Sequence, residues 1–233
     1  MEEHRLYIQT ELCTSTLATE IRQHSPALIN TERRYKIARE MCLALEFIHK
    51  HGMVHLDIKP ENIFIKNDQF KLGDFGLVSK ISEHDVEEGD SRYMSRELLS
   101  GDHSDLTKSD IFSLGITLYE LCLGGLRPLP SNGAEWQSLR DASFPLLATT
   151  PDDMQHLIRL MMNPTFHSRP TAAELLKRPQ LLSDEQKALL AERNKVVQAN
   201  LALAEQANRL KKLSPPPMPR KGLLVRANTW NGN

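Results

Sequence analysis

His55-Leu56-Asp57-Ile58-Lys59-Pro60-Glu61-Asn62 decides how the rest of this chain is read, and Asp74-Phe75-Gly76 follows after a short interval. Five fixed residues in such an order recur by chance roughly once in a million positions at ordinary residue frequencies. Downstream of this stretch, Ile63-Phe64-Ile65 and Phe70-Lys71-Leu72 read as two short strands around a turn at Asn67-Asp68. Upstream, Ile37, Met41, Leu45 and Ile48 recur at helical spacing. Thr31 is placed to cap that helix and Gly52 to end it.

The 233 residues suffice for one large domain or two small ones. Apolar residues at 40% and charged residues at 25% match an ordinary globular protein. The net charge of −1 gives no electrostatic case for binding nucleic acid. Cys13, Cys42 and Cys122 are odd in number and scattered, which argues against a disulfide framework or a zinc site and fits a reducing compartment. No apolar run approaches the length of a membrane span. The acidic start Met1-Glu2-Glu3-His4 does not read as a signal peptide.

Leu6-Tyr7-Ile8-Gln9 is a candidate strand, and residues 109–122 form a mostly apolar helix expected to be buried. Thr150-Pro151-Asp152-Asp153 starts another helix, with Thr150 as the expected cap and acids at the positive end. Thr171-Ala172-Ala173-Glu174 is a capping box, and Ser183 with Gln186 forms a second candidate. A change of composition begins near Ser183. Leu189, Val196, Leu203 and Leu210 fall every seven residues, but the partner seam of Gln186, Arg193, Asn200 and Ala207 is mostly polar. This helix is read either as packed on its own domain or solvated, or as a weak partner-binding helix. Ser214-Pro215-Pro216-Pro217 opens a basic tail, with Arg220, Lys221 and Arg226, that is expected to be disordered.

The loop around Asp57 and the Asp74-Phe75-Gly76 triplet resemble the catalytic and metal-binding loops of protein kinases. The resemblance implies an α+β, protein-kinase-like fold, mainly the α-helical large lobe with a hinge strand. It implies ATP and Mg2+ as cofactors, with Asp57 beside the attacking hydroxyl, Lys59 on the transferring phosphate, and Asn62 and Asp74 on magnesium. One amide and one carboxylate suit magnesium, which keeps several waters. Glu97 and Arg169 match the family's buried ion pair, and Asp110 matches the helix acid that holds the catalytic-loop backbone. The implied organisation is 1–13 as a remnant of small lobe and hinge, 14–182 as large lobe, 183–213 as C-terminal helix and 214–233 as tail.

Further residues resemble the Wee family, which places inhibitory phosphates on cyclin-dependent kinases. Leu6-Tyr7-Ile8-Gln9-Thr10-Glu11-Leu12-Cys13 is similar to its hinge, closest to its membrane-associated, dual-specificity branch. Thr10 would be the gatekeeper, the Glu11 and Cys13 backbones would meet the adenine edge, and Phe64 would lie beneath it. Phe64 alone also reads as a core strand residue. In Glu87-Glu88-Gly89-Asp90-Ser91-Arg92-Tyr93, Asp90 stands where most serine/threonine kinases carry Thr, which is expected to set a carboxylate near Lys59 and reshape the acceptor site. Leu56 stands where many kinases carry Arg, and Arg96 replaces the usual Pro before Glu97. With no Thr between Asp74 and Glu97, the segment is expected to be held by its own charges rather than by a phosphate. Pro128-Leu129-Pro130-Ser131-Asn132-Gly133 with Trp136 also looks Wee-like, Trp136 being read as packing.

The family's Gly-rich loop and strand Lys precede the hinge, and no Gly precedes Gly52. The chain is therefore expected to act as part of a complete kinase and to be inactive alone, or to be a non-catalytic binding module. An ordinary serine/threonine kinase is the weaker alternative. Implied partners are a cyclin-dependent kinase–cyclin complex and a phosphothreonine-reading adaptor at Thr229. The nucleus is the expected location, with cytoplasm or the endoplasmic reticulum/Golgi membrane surface as alternatives.

Overall fold

The computed structural model describes residues 8–23, 29–83, 86–87, 89–125 and 127–213. The elements in order are β1 (Ser15–Thr16), α1 (Leu17–Gln23), α2 (Thr31–Lys50), β2 (Met53–Val54), β3 (Ile63–Lys66), β4 (Gln69–Leu72), β5 (Ser79–Lys80), α3 (Arg96–Leu99), α4 (Leu106–Leu123), α5 (Gly133–Arg140), α6 (Asp152–Met161), α7 (Ala172–Leu175) and α8 (Asp184–Leu213). This is the expected α+β, mainly helical arrangement. The chain divides into two units, Met1–Ser183 and Asp184–Asn233.

The first unit is built around α4. A helix apolar on every side must be enclosed, and Ile111, Phe112, Leu114, Ile116 and Leu118 are fully buried. Each such side chain contributes about 1.5–3 kcal/mol by leaving water. Gly115 lets α6 come close: a Cβ there would lie 2.8 Å from Met162 Cγ and 2.9 Å from Met161 Cβ. On α2, Ile37, Met41 and Leu45 face the same core at the expected helical spacing.

The cap of α2 is Asn30, not Thr31: the Asn30 carboxamide oxygen accepts from the Arg33 amide at 2.8 Å. Asn30 is extended and reaches the third helical residue, so Thr31 is already inside the helix. Past the other end, Gly52 takes φ +74°, the left-handed turn that favours glycine. The β3–β4 hairpin pairs Ile63 with Leu72 and Lys66 with Gln69. Its turn residues Asn67 and Asp68 both have positive φ, as a two-residue hairpin turn with the right twist requires. Arg33 and Lys36 of α2 form ion pairs with Asp68, so the hairpin is anchored to the helix.

Leu6 and Tyr7 lie outside the described residues, and Ile8 and Gln9 are not strand. Pairing begins later, where the Thr14 amide donates to the Ile65 carbonyl at 2.9 Å and β1 joins β3. Thr150 is not the cap of α6. It is buried, its hydroxyl accepts from Arg34 Nη1 at 3.3 Å, and Pro151 occupies the cap position. The Thr171–Glu174 capping box forms in both directions.

The second unit contains α8, on which Leu189, Val196 and Leu203 are exposed. The side chain of Leu210 and the basic tail lie outside the described residues.

Candidate active site

Asp110 on α4 is fully buried and holds the backbone of the 55–57 loop. Its Oδ2 accepts from the His55 amide at 2.9 Å and its Oδ1 from the Leu56 amide at 2.8 Å. His49 Nε2 on α2 bonds the same carboxylate at 2.8 Å. Leu56 sits at φ +63°, a conformation costing a non-glycine residue about 1–2 kcal/mol. The two amide bonds that Asp110 accepts offset that strain. The turn after Leu56 then brings forward Asp57, 9% exposed.

Every oxygen of the Asp57 carboxylate is engaged. Oδ2 accepts from Lys59 Nζ at 2.7 Å and from the Asn62 carboxamide nitrogen at 2.8 Å; Oδ1 accepts from the Asp90 amide at 3.3 Å. Asn62 Nδ2 also donates to the Asp57 carbonyl at 2.8 Å, so the Asn62 oxygen is the atom left to take a cation. The Gly73 amide donates to the Asn62 carbonyl at 2.9 Å, which ties the residue before Asp74 to the other candidate magnesium ligand. His55 Nε2 donates to the Gly73 carbonyl at 3.1 Å and adds a second tie. Asp74 has φ +59°, so the chain turns sharply there.

Phe64 lies against Gly73: a Cβ at Gly73 would come 2.8 Å from the Phe64 ring. The ring thus borders the peptide that precedes Asp74. Thr10 and Glu11 are exposed and Cys13 is half-buried. The Glu11 side chain has a role the sequence did not show. It pairs with Lys71 Nζ at 2.6 Å and Lys66 Nζ at 2.9 Å, which holds its carboxyl down at about 2. Phe75 is 58% exposed, its ring edge-on to His55.

The segment at 89–93 closes the other side. A Cβ at Gly89 would lie 2.7 Å from the Leu56 carbonyl and 2.8 Å from Asp57 Oδ1, so only glycine fits without a shift. The carboxylate of Asp90 is bound by Arg92, not by Lys59: Arg92 Nε donates to Oδ1 at 3.0 Å and Nη2 to Oδ2 at 2.5 Å. The guanidinium fork satisfies both oxygens, while Lys59 is engaged by Asp57. Burial pushes the Asp90 carboxyl up, but the Arg92 bonds outweigh this and hold it below its ordinary value. Ser91 is exposed. Tyr93 is buried, and its hydroxyl donates to Glu120 at 2.6 Å. Burial drives Tyr93 far up and raises Glu120 as well.

Glu97 and Arg169 form a buried pair through both terminal guanidinium nitrogens, with Nη2 to Oε2 at 3.0 Å. Arg169 Nη1 also donates to the Lys108 carbonyl at 3.0 Å, and Lys108 Nζ donates back to the Arg169 carbonyl at 2.6 Å. The start of α3 is thereby fixed to α4.

The protein kinase domain model matches residues 1–181. The chain belongs to the protein kinase family. It is 42% identical over 179 residues to a Wee1-like protein kinase of Oryza sativa subsp. japonica, covering 76% of this chain and 33% of that protein. It is 40% identical over 179 residues to a Wee1-like protein kinase of Arabidopsis thaliana, covering 76% and 35%. A membrane-associated tyrosine- and threonine-specific cdc2-inhibitory kinase of Drosophila melanogaster is 38% identical over 195 residues, covering 80% and 36%. The chain thus spans about a third of the length of these relatives.

In this kinase domain three contributors, His49, Glu120 and Arg140, were not singled out from sequence, and a fourth, Trp136, was given another role. His49 meets Asp110, and Glu120 meets Tyr93. Trp136, read as packing, donates from Nε1 to the Ser91 carbonyl at 3.2 Å, and Arg140 Nη2 donates to the same carbonyl at 2.6 Å. A period-3.6 pattern carries no signal for such bonds, because their partners lie far away in sequence.

Proposed function

We propose that the protein is a Wee-type kinase, acting as part of the complete gene product. It would transfer the ATP γ-phosphoryl group to the inhibitory Tyr of a cyclin-dependent kinase in its cyclin complex, with the adjacent Thr as second acceptor, and so restrain mitotic entry. The observation that carries this reading is Asp57 held by Lys59, Asn62 and the Asp90 amide together. That arrangement fixes a carboxylate where an acceptor hydroxyl would be oriented and its proton taken, and keeps an ammonium beside it.

Asn62 and Asp74 fit magnesium. The Asn62 nitrogen is committed to Asp57, which leaves its oxygen as the ligand atom, and a backbone bond links the two loops. When bound, magnesium-ATP supplies the phosphoryl group and the ion neutralises its charge. Thr10, Glu11, Cys13 and Phe64 are proposed to line the adenine side. Asp90, Ser91, Arg92 and Tyr93 form the acceptor segment. Arg92 on Asp90, with Leu56 in place of a phosphate-reading Arg, supports a segment ordered without loop phosphorylation.

A second reading, a non-catalytic binding module, is favoured by the exposure of Ile8, Leu12 and Phe75. A thermal-shift titration separates the two: stabilisation by magnesium-ATP supports the kinase, and no shift supports the module. The deciding experiment is mass-spectrometric site mapping on a cyclin-dependent kinase treated with the full-length product, beside Asp57→Asn. No phosphate on the inhibitory Tyr or Thr would sink the assignment. Lys211-Lys212 and Arg220-Lys221 support a nuclear location, which firm membrane attachment on fractionation would overturn. Arg226-Ala227-Asn228-Thr229 supports an adaptor site, to be tested by pull-down with a phosphothreonine-reading protein.

A further inference from the structure

Helix α5 carries two side chains that converge on the acceptor segment from behind. Arg140 is 1% exposed. Its Nη2 donates to the carbonyls of Ser91 at 2.6 Å and Arg92 at 3.1 Å, and its Nη1 to the Trp136 carbonyl at 3.0 Å. Its guanidinium lies 3.7 Å from the centroid of the Trp136 ring. Trp136 Nε1 donates to the Ser91 carbonyl as well, at 3.2 Å. One carbonyl therefore receives two donors from one helix. Immediately before it stands Asp90, whose amide bonds Asp57 and whose carboxylate holds Arg92.

The energetics show what this arrangement does. Arg140 is a buried cation bonded to carbonyls, with its Nε lacking any partner among the described residues. Burial, with Arg96 nearby, lowers it to about 10. A buried guanidinium with no carboxylate bonded to it among the described residues is costly. The stability spent here is matched by a geometric return: two successive carbonyls are fixed at the point where the segment passes the catalytic loop.

We propose that Trp136 and Arg140 are positioning residues for the acceptor hydroxyl, bracing the 91–92 backbone so that Asp90 and Arg92 stay in register with Asp57. The word acceptor rests on the kinase reading; the brace rests on the geometry alone. It takes the place of a loop phosphate gripped by arginines, the clamp here running from a helix to main-chain oxygens.

The test uses the full chain with Arg140→Met, Arg140→Lys and Trp136→Phe. The last keeps the ring and removes only its N–H, so it serves if Arg140→Met does not fold. Hydrogen exchange at the amides of Asp90, Arg92 and Tyr93 should quicken about tenfold in Arg140→Met and less in Trp136→Phe, while amides of α4 stay unchanged. In the complete kinase, KM for the protein acceptor should rise about tenfold with KM for ATP unmoved, and Arg140→Lys should recover part of the loss. Unchanged exchange at the three amides, or an equal rise throughout α4, overturns the brace. So does a parallel rise in both KM values. If the unsubstituted kinase transfers no phosphate, the kinase reading fails, and the exchange result alone decides the brace.

Discussion

The ring of Phe64 closes on the backbone of Gly73, so tightly that a methyl group at Gly73 would stand 2.8 Å from Phe64 Cε2 and 2.9 Å from Cδ2. Gly73 cannot retreat freely, because its amide serves Asn62 and its carbonyl serves His55. Gly73→Ala is therefore expected to cost about 1–3 kcal/mol by overpacking. It should also weaken nucleotide binding by moving the ring. Phe64→Leu in the same molecule makes room and should recover most of the loss. Melting curves for the two single variants and the double variant check this; strict additivity would show that the two positions do not interact.

Glu97 and Arg169 give a prediction with a sign. Burial pushes the Glu97 carboxyl up, but the Arg169 guanidinium outweighs it and holds the group below its ordinary 4.5. A depressed carboxyl contributes stability that is fully present above pH 4.5 and lost as pH falls through the lower folded value. Arg169→Met leaves the carboxylate buried without its counter-ion, at a cost of about 3–5 kcal/mol at neutral pH. In that variant burial is opposed only by serine and backbone hydrogen bonds, so the carboxyl should titrate higher than in the unsubstituted protein and acidification should relieve part of the loss. The Glu97→Leu, Arg169→Met pair should regain most of the stability. Denaturant unfolding measured at several pH values decides each point.

What could be read from sequence followed the range of the forces involved. The Thr171 capping box, the Asn67-Asp68 turn and the buried α4 depend on neighbours a few residues apart, and all formed. Asp57, Lys59 and Asn62 could be read as one group because they lie within six residues of chain, and their side chains do meet. The shift of the α2 cap to Asn30 and the diversion of Thr150 to Arg34 had another origin, as several side chains competed for the same local role. Asp90 does stand near Lys59, as expected, but its direct partner Arg92 escaped because Lys59 is engaged by Asp57, a fact of three-dimensional placement. Arg140 carries no periodic signal; a charged residue on a short amphipathic helix reads as solvated until its burial is seen.

Glu11 tethers the segment before β1 to the hairpin through Lys71 and then Lys66. Its carboxyl, held at about 2, stays ionised under mild acid, so the tether persists as pH falls past 4.5 and is released only near pH 2. Because the group is exposed, salt screens it: the Debye length shrinks to about 3 Å at 1 M. Glu11→Gln should speed hydrogen exchange at the Thr14 amide, which bonds the Ile65 carbonyl, and leave the melting temperature nearly unchanged. High salt should mimic the substitution. An amide equally protected in both proteins would mean that the backbone bond alone anchors the segment.

Asp90 provides the sharpest test of acceptor choice. Its carboxylate spends both oxygens on Arg92, and its amide reaches Asp57. Asp90→Thr keeps the amide, removes the two-pronged partner of Arg92 and adds a hydroxyl beside Asp57 and Lys59, as in most serine/threonine kinases. The lost charge-assisted bonds should cost about 1.5–3 kcal/mol of stability. A hydroxyl bridging Asp57 and Lys59 raises the floor on which the acceptor rests, which favours the short reach of serine over that of tyrosine. The ratio of kcat/KM for tyrosine against serine in matched peptides should therefore fall by about tenfold or more in the complete kinase. An unchanged ratio, with Arg92 released, would remove Asp90 from acceptor selection and leave it as an internal counter-ion.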